Sequence, residues 1–79
     1  MNALTTVPVA DYAGAQIELN KYAAAPAPIT IVWKVESLLL SAEQEQDLLA
    51  IHKQITQLQK AGHNIQIRQD AGVYSIIAT

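Results

Sequence analysis

The sequence predicts an α+β two-layer sandwich: a small sheet of three or four mostly antiparallel strands, in the order ββαββ, with one helix packed on one face. Three stretches carry that expectation. "ITIVWKVE" (Ile29 to Glu36) alternates β-branched or aromatic residues with polar ones, as a half-buried strand does. "SAEQEQDLLAIHKQITQLQKAG" is a helix marked at both ends, and "IQIRQDAGVYSIIAT" reads as two strands joined by a short turn.

Taken in order, residues 1–14 are small and weakly patterned and are broken by Pro8 and Gly14. They are expected to be weakly ordered or to form an edge segment around Val7 and Val9, because an edge tolerates a proline whose missing N–H is not needed. "QIELNKY" sets Ile17 and Leu19 against Glu18, Asn20 and Tyr22 with a period of two, which predicts a strand. In "AAAPAP", Pro26 and Pro28 exclude a helix continuing from the alanines and favour an extended connector. Along the next strand Ile29, Ile31, Trp33 and Val35 face inward, while Thr30, Val32, Lys34 and Glu36 face outward.

The helix is expected from about Ser41 to Ala61. Ser41 can accept a bond from a free first-turn N–H, and Gln44 can reach back to the Ser41 N–H as in a capping box. Glu43, Glu45 and Asp47 sit at the positive end of the helix dipole and Lys60 near the negative end, and Gly62 supplies the left-handed residue that ends the helix. Leu48, Ile51, Ile55 and Leu58 recur at steps of three and four, so they form one stripe. That stripe is assigned to the core. Each large aliphatic buried is worth roughly 1.5–3 kcal/mol against a domain stability of about 5–15 kcal/mol, so a sheet stripped of its only cover would not stay folded.

After the helix, Ile65 and Ile67 alternate with Gln66 and Arg68, "QDAG" fits a hairpin loop in which Gly72 takes a positive φ, and "VYSIIAT" follows. Both registers of this last strand are apolar: Val73 and Ile77 lie on one side, Tyr74 and Ile76 on the other. One set cannot reach the helix. The outer face is therefore expected to mix Tyr22, Val32, Lys34, Arg68, Tyr74 and Ile76, together with Glu18, Asn20, Thr30, Glu36 and Gln66. Such a mixture suits a protein contact.

Composition narrows the function further. An apolar fraction of 51% with 15% charged residues belongs to a chain that buries a core. The length allows a single domain, and the absence of cysteine excludes disulfides and thiolate metal sites. The net charge is −2 and the basic residues Lys21, Lys34, Lys53, Lys60 and Arg68 are scattered, which disfavours a nucleic-acid duplex as partner. With neither a signal-like start nor a long apolar run, a soluble cytoplasmic protein is expected.

No motif for catalysis or cofactor binding is present. His52 and His63 are eleven residues apart and match no local metal spacing even with Asp70, and Ser37, Ser41 and Ser75 lie in no nucleophile elbow. Gly14, Gly62 and Gly72 are isolated and form no phosphate loop. The expectation is a non-enzymatic protein without metal, cofactor or small-molecule substrate. It is expected to dock on another protein or on its own copy, through the outer sheet face or an exposed sheet edge, as a small steric inhibitor or accessory subunit of a larger machine of the kind viruses and mobile elements encode. The alternative is a single-stranded nucleic-acid binder that stacks bases on Tyr22 and Tyr74 beside Lys34 or Arg68, a reading opposed by Glu18 and Glu36.

Overall fold

The computed structural model describes residues 5–35 and 39–79. Six elements follow one another: β1 (Thr5–Pro8), α1 (Tyr12–Ala24), β2 (Ile29–Lys34), α2 (Ala42–Lys60), β3 (Ile65–Asp70) and β4 (Val73–Ala78). The strands form one sheet in the order β1-β2-β4-β3, with β1 parallel to β2 and β4 antiparallel to both β2 and β3. The α+β class and the four-stranded sheet agree with expectation; the order is βαβαββ instead of ββαββ, and two helices are present instead of one.

The difference lies in residues 16–22, which belong to α1 and form no strand. Asp11 caps that helix, its Oδ1 accepting from the Gly14 N–H at 2.9 Å. The buried positions Tyr12, Ala15, Leu19 and Tyr22 recur at steps of three, four and three. Ile17, half of the pair that suggested a strand, is 57% exposed. A second helix follows from the topology. Because β1 and β2 are parallel they need a crossover, which α1 provides. The β2-α2-β3 connection steps across the sheet in the same direction over the intervening β4, so the shared right-handed preference of such crossovers puts both helices on one face. There α1 packs against α2 and β2, and α2 against β3.

α2 has the expected caps. Ser41 Oγ accepts from the Gln44 N–H at 3.1 Å and Gln44 Oε1 from the Ser41 N–H at 2.9 Å, closing the capping box. At the other end the His63 N–H reaches the Leu58 carbonyl and the Gly62 N–H that of Gln59, with Gly62 at φ 100°, a Schellman motif. Ile51 and Ile55 are buried, and Leu48 and Leu58 pack beside them.

In the core the helices cover Ile31, Trp33, Ile65, Ile76 and Ala78 of the sheet. Trp33 and Tyr74 are register partners on β2 and β4 and stack at 5.2 Å with 12° between their planes, while Tyr12 meets both rings edge-on at 5.8 Å. The hydroxyl of Tyr12 and Nε1 of Trp33 are buried there without a hydrogen-bond partner among the described residues. Burial first, then the neighbouring Tyr74, raises the Tyr12 pKa above its ordinary 10.0.

Candidate functional site

With both helices on one face, the other face of the sheet has no cover among the described residues. Three cross-strand rows build it. Thr6, Thr30, Ile77 and Gln66 make the first, Pro8, Val32, Ser75 and Arg68 the second, and Lys34, Val73 and Asp70 the third. Thr30, Val32, Val73, Ser75 and Ile77, all on the two central strands, are half-buried by their neighbours alone, while Lys34, Gln66, Arg68 and Asp70 at the periphery are exposed. The face is thus aliphatic at its middle and polar at its rim.

Charge separates between the two layers. The described helix layer carries Asp11, Glu18, Glu43, Glu45 and Asp47 against Lys21, Lys53 and Lys60, whereas the open face carries Lys34 and Arg68 against Asp70. The one ion pair among the described residues, Lys21 with Glu18 at 3.6 Å, is within α1. Lys34 and Arg68 pair with no described acid, so the open face is weakly positive on a chain of net charge −2.

Of the six residues expected on this face, Val32, Lys34 and Arg68 lie there. Tyr22, Tyr74 and Ile76 do not. Tyr22 is on α1, buried to 7% exposure, and its hydroxyl lies 3.2 Å from His63 Nδ1, because residues 16–22 are helical and turn Tyr22 toward the core. Tyr74 and Ile76 belong to the register of β4 that meets Trp33 and Ile31, which places them under the helices; Ile76 has no exposed surface. Ile76→Ala is therefore a core truncation rather than a change to the contact surface. Glu18 and Asn20 likewise lie on α1, where the Asn20 side chain accepts from Gln54 Nε2 of α2 at 2.9 Å; Glu36 is outside the described residues.

The positions that sequence reasoning assigned to the core side, Val73 and Ile77, take the vacated places. A signal for this was present: an indole committed to the inner row of β2 is best matched across the strands by another ring, and Tyr74 is the one ring on β4.

A cleft of about 500 Å³ opens elsewhere, between Val9 to Tyr12, Trp33 to Val35, Leu40 and Gln44. It lies beyond the carboxyl ends of the parallel pair β1 and β2. The Trp33 Nε1 and Tyr12 hydroxyl that border it have essentially no exposed surface; of its exposed polar side chains, Asp11 and Gln44 are engaged in the caps of α1 and α2, and Lys34 belongs to the rim of the open face. His52, His63 and Asp70 do not converge; among the described residues no cluster of three His, Cys, Asp or Glu could hold a metal ion. No described helix is long and apolar enough to cross a membrane. No family model, curated protein or solved structure matches this chain.

Proposed function

We propose that the protein works by docking, without a reaction of its own, on another protein through the open face of its sheet. Val32, Ile77 and Val73 form the apolar centre of the contact, and Lys34 and Arg68 favour a partner whose matching surface is apolar at its middle and acidic at its rim. The observation that carries this reading is the segregation of residue types: aliphatic groups on the two central strands face away from both helices, and the basic residues of the sheet stand beside them. A contact of this kind suits a steric inhibitor or an accessory subunit.

The single-stranded nucleic-acid reading loses its main support. Such binders stack bases on exposed rings of a sheet, and all four aromatic residues of this chain, Tyr12, Tyr22, Trp33 and Tyr74, pack on the helix side.

The test compares proteins captured from the native host by the wild type, Val32→Asp, Arg68→Glu and, as a helix-layer control, Glu43→Lys, with circular dichroism confirming that each is folded. A partner retained by wild type and control, lost by both face variants, and then bound by the pure wild-type protein supports the reading. Retention of the same partners by all four removes it, and binding of a labelled oligonucleotide that weakens steeply with salt favours the alternative.

A further inference from the structure

The two free edges of the sheet are built differently. On β1 the Val9 N–H donates to the Val32 carbonyl, so Val7 and Val9 turn their backbone toward β2 and Pro8 falls at an outward position, where it has no N–H to offer. Four residues long and carrying that proline, β1 is blunted against further pairing. β3 has six residues and neither proline nor bulge. The Thr79 N–H donates to the Asn64 carbonyl, and the alternation of an antiparallel ladder then turns the backbone of Gln66, Arg68 and Asp70 toward β4 and that of Ile65, Ile67 and Gln69 outward. The Ile65 carbonyl is already taken by Gln59 Nε2 at 2.8 Å; the outward groups of Ile67 and Gln69 have no partner among the described residues.

We propose that two copies of the chain pair at the carboxyl end of β3, over Arg68 to Asp70 and antiparallel about a two-fold axis at Gln69, to form one continuous eight-stranded sheet. This does not rest on the docking function proposed above. Facing residues must share a side of the sheet, which allows axes at Ile67, Arg68 or Gln69. The Ile67 axis makes the second copy compete with Gln59 for the Ile65 carbonyl, and the Arg68 axis sets two guanidinium groups against each other. The Gln69 axis leaves the Gln59 bond intact and puts each Arg68 directly opposite the second copy's Asp70, on the open face.

α2 supports the same register. Leu49, His52, Thr56 and Gln59 recur at steps of three, four and three along one exposed flank, and because Gln59 reaches Ile65 this flank overhangs the β3 edge. Gln69 lies four strand residues beyond Ile65, about 13 Å, a distance that about nine helical residues span. That brings Leu49, 68% exposed, level with the axis and close to its counterpart in the second copy.

The chain has no cysteine, so a single introduced thiol reports the register without background. Hydrogen-bonded antiparallel partners have Cα atoms about 5.5 Å apart, inside the roughly 4.4–6.8 Å range of a disulfide. The expected results are a doubled mass by light scattering for the wild type and oxidative dimerisation of Gln69→Cys but not of Gln66→Cys. Arg68→Asp and Asp70→Arg should each weaken the dimer by roughly tenfold or more, and the double reversal should restore it; all are checked for folding by circular dichroism. A wild type that stays monomeric at about 1 mM, cross-linking strongest at Ile67→Cys or Arg68→Cys, or a dimer indifferent to Arg68→Asp overturns the proposal. A monomer leaves the docking function standing, since the open face is complete in one chain.

Discussion

Ile76 and Ile77 are adjacent in the chain and identical in chemistry, yet they do different work. Ile76 meets Ile31 and Ile67 across the sheet under the helix layer and has no exposed surface. Ile77 lies between Thr30 and Gln66 on the open side and is half-buried by those neighbours alone. Nothing in either side chain decides this. The period of two along a strand does, so a single step along β4 separates what holds the domain together from what it offers to a partner.

The largest expected effect tests that division directly. Ile76→Ala should cost about 2–5 kcal/mol of stability, because it removes fully buried methylenes and leaves a cavity beneath the helices. Ile77→Ala should cost less, about 1–2 kcal/mol, since that side chain is only partly buried and its loss opens no closed cavity. Urea denaturation of the two variants measures the gap, and a larger loss for Ile77→Ala would show that β4 is turned the other way.

A smaller effect sharpens the account of the covered side. The Tyr12 hydroxyl is buried without a partner among the described residues, so Tyr12→Phe keeps the ring in its edge contacts and removes a polar atom that burial penalises; stability should rise by about 1 kcal/mol. The pH dependence has a definite sign. With the folded pKa raised above the ordinary 10.0, the folded chain holds that proton more tightly than the unfolded chain. Below pH 10 the hydroxyl is protonated in both states and adds no pH dependence; as pH climbs from there through the raised value the unfolded chain ionises first, and stability falls. Melting temperatures across that range should fall less steeply in Tyr12→Phe than in the wild type.

The same contrast explains what could be read in the sequence. α2 was legible because its signals agree: a capping box, a Schellman glycine and a four-residue aliphatic stripe all mark one helix. The alternation of β2 and the turn at Gly72 were legible for the same reason. α1 was not, because three of the four residues of its buried stripe are alanine or tyrosine, Ala13, Ala23 and Ala24 blur the polar side, and its most apolar residue, Ile17, faces water. Over seven residues Ile17 and Leu19 imitated a strand. The open face was legible in part: Val32, Lys34 and Arg68 follow from alternation within their own strands. Tyr74 and Ile76 could not be placed that way, since both registers of β4 are apolar and only the pairing with Trp33 and Ile31 separates them.

The hairpin that makes this pairing is also where the smallest effect is expected. Asp70 faces Val73, and the two residues between them, Ala71 at φ 51° and Gly72 at φ 79°, both have the positive φ of a type I′ turn, which matches the twist of the flanking strands. Glycine adopts that conformation freely at the second position, whereas alanine at the first is strained. Ala71→Asn, giving the preferred Asn-Gly pair, should raise stability by about 0.5–1 kcal/mol. Because the turn holds the register of β3 on β4, and a slip of one residue would exchange Ile76 for Ile77, the gain should come with slower amide exchange at both isoleucines and with their side chains unmoved. A gain in melting temperature accompanied by altered chemical shifts at Trp33 and Tyr74 would mean that the turn had been relieved by shifting the strand, and that Ala71 had been helping to set which isoleucine faces the core.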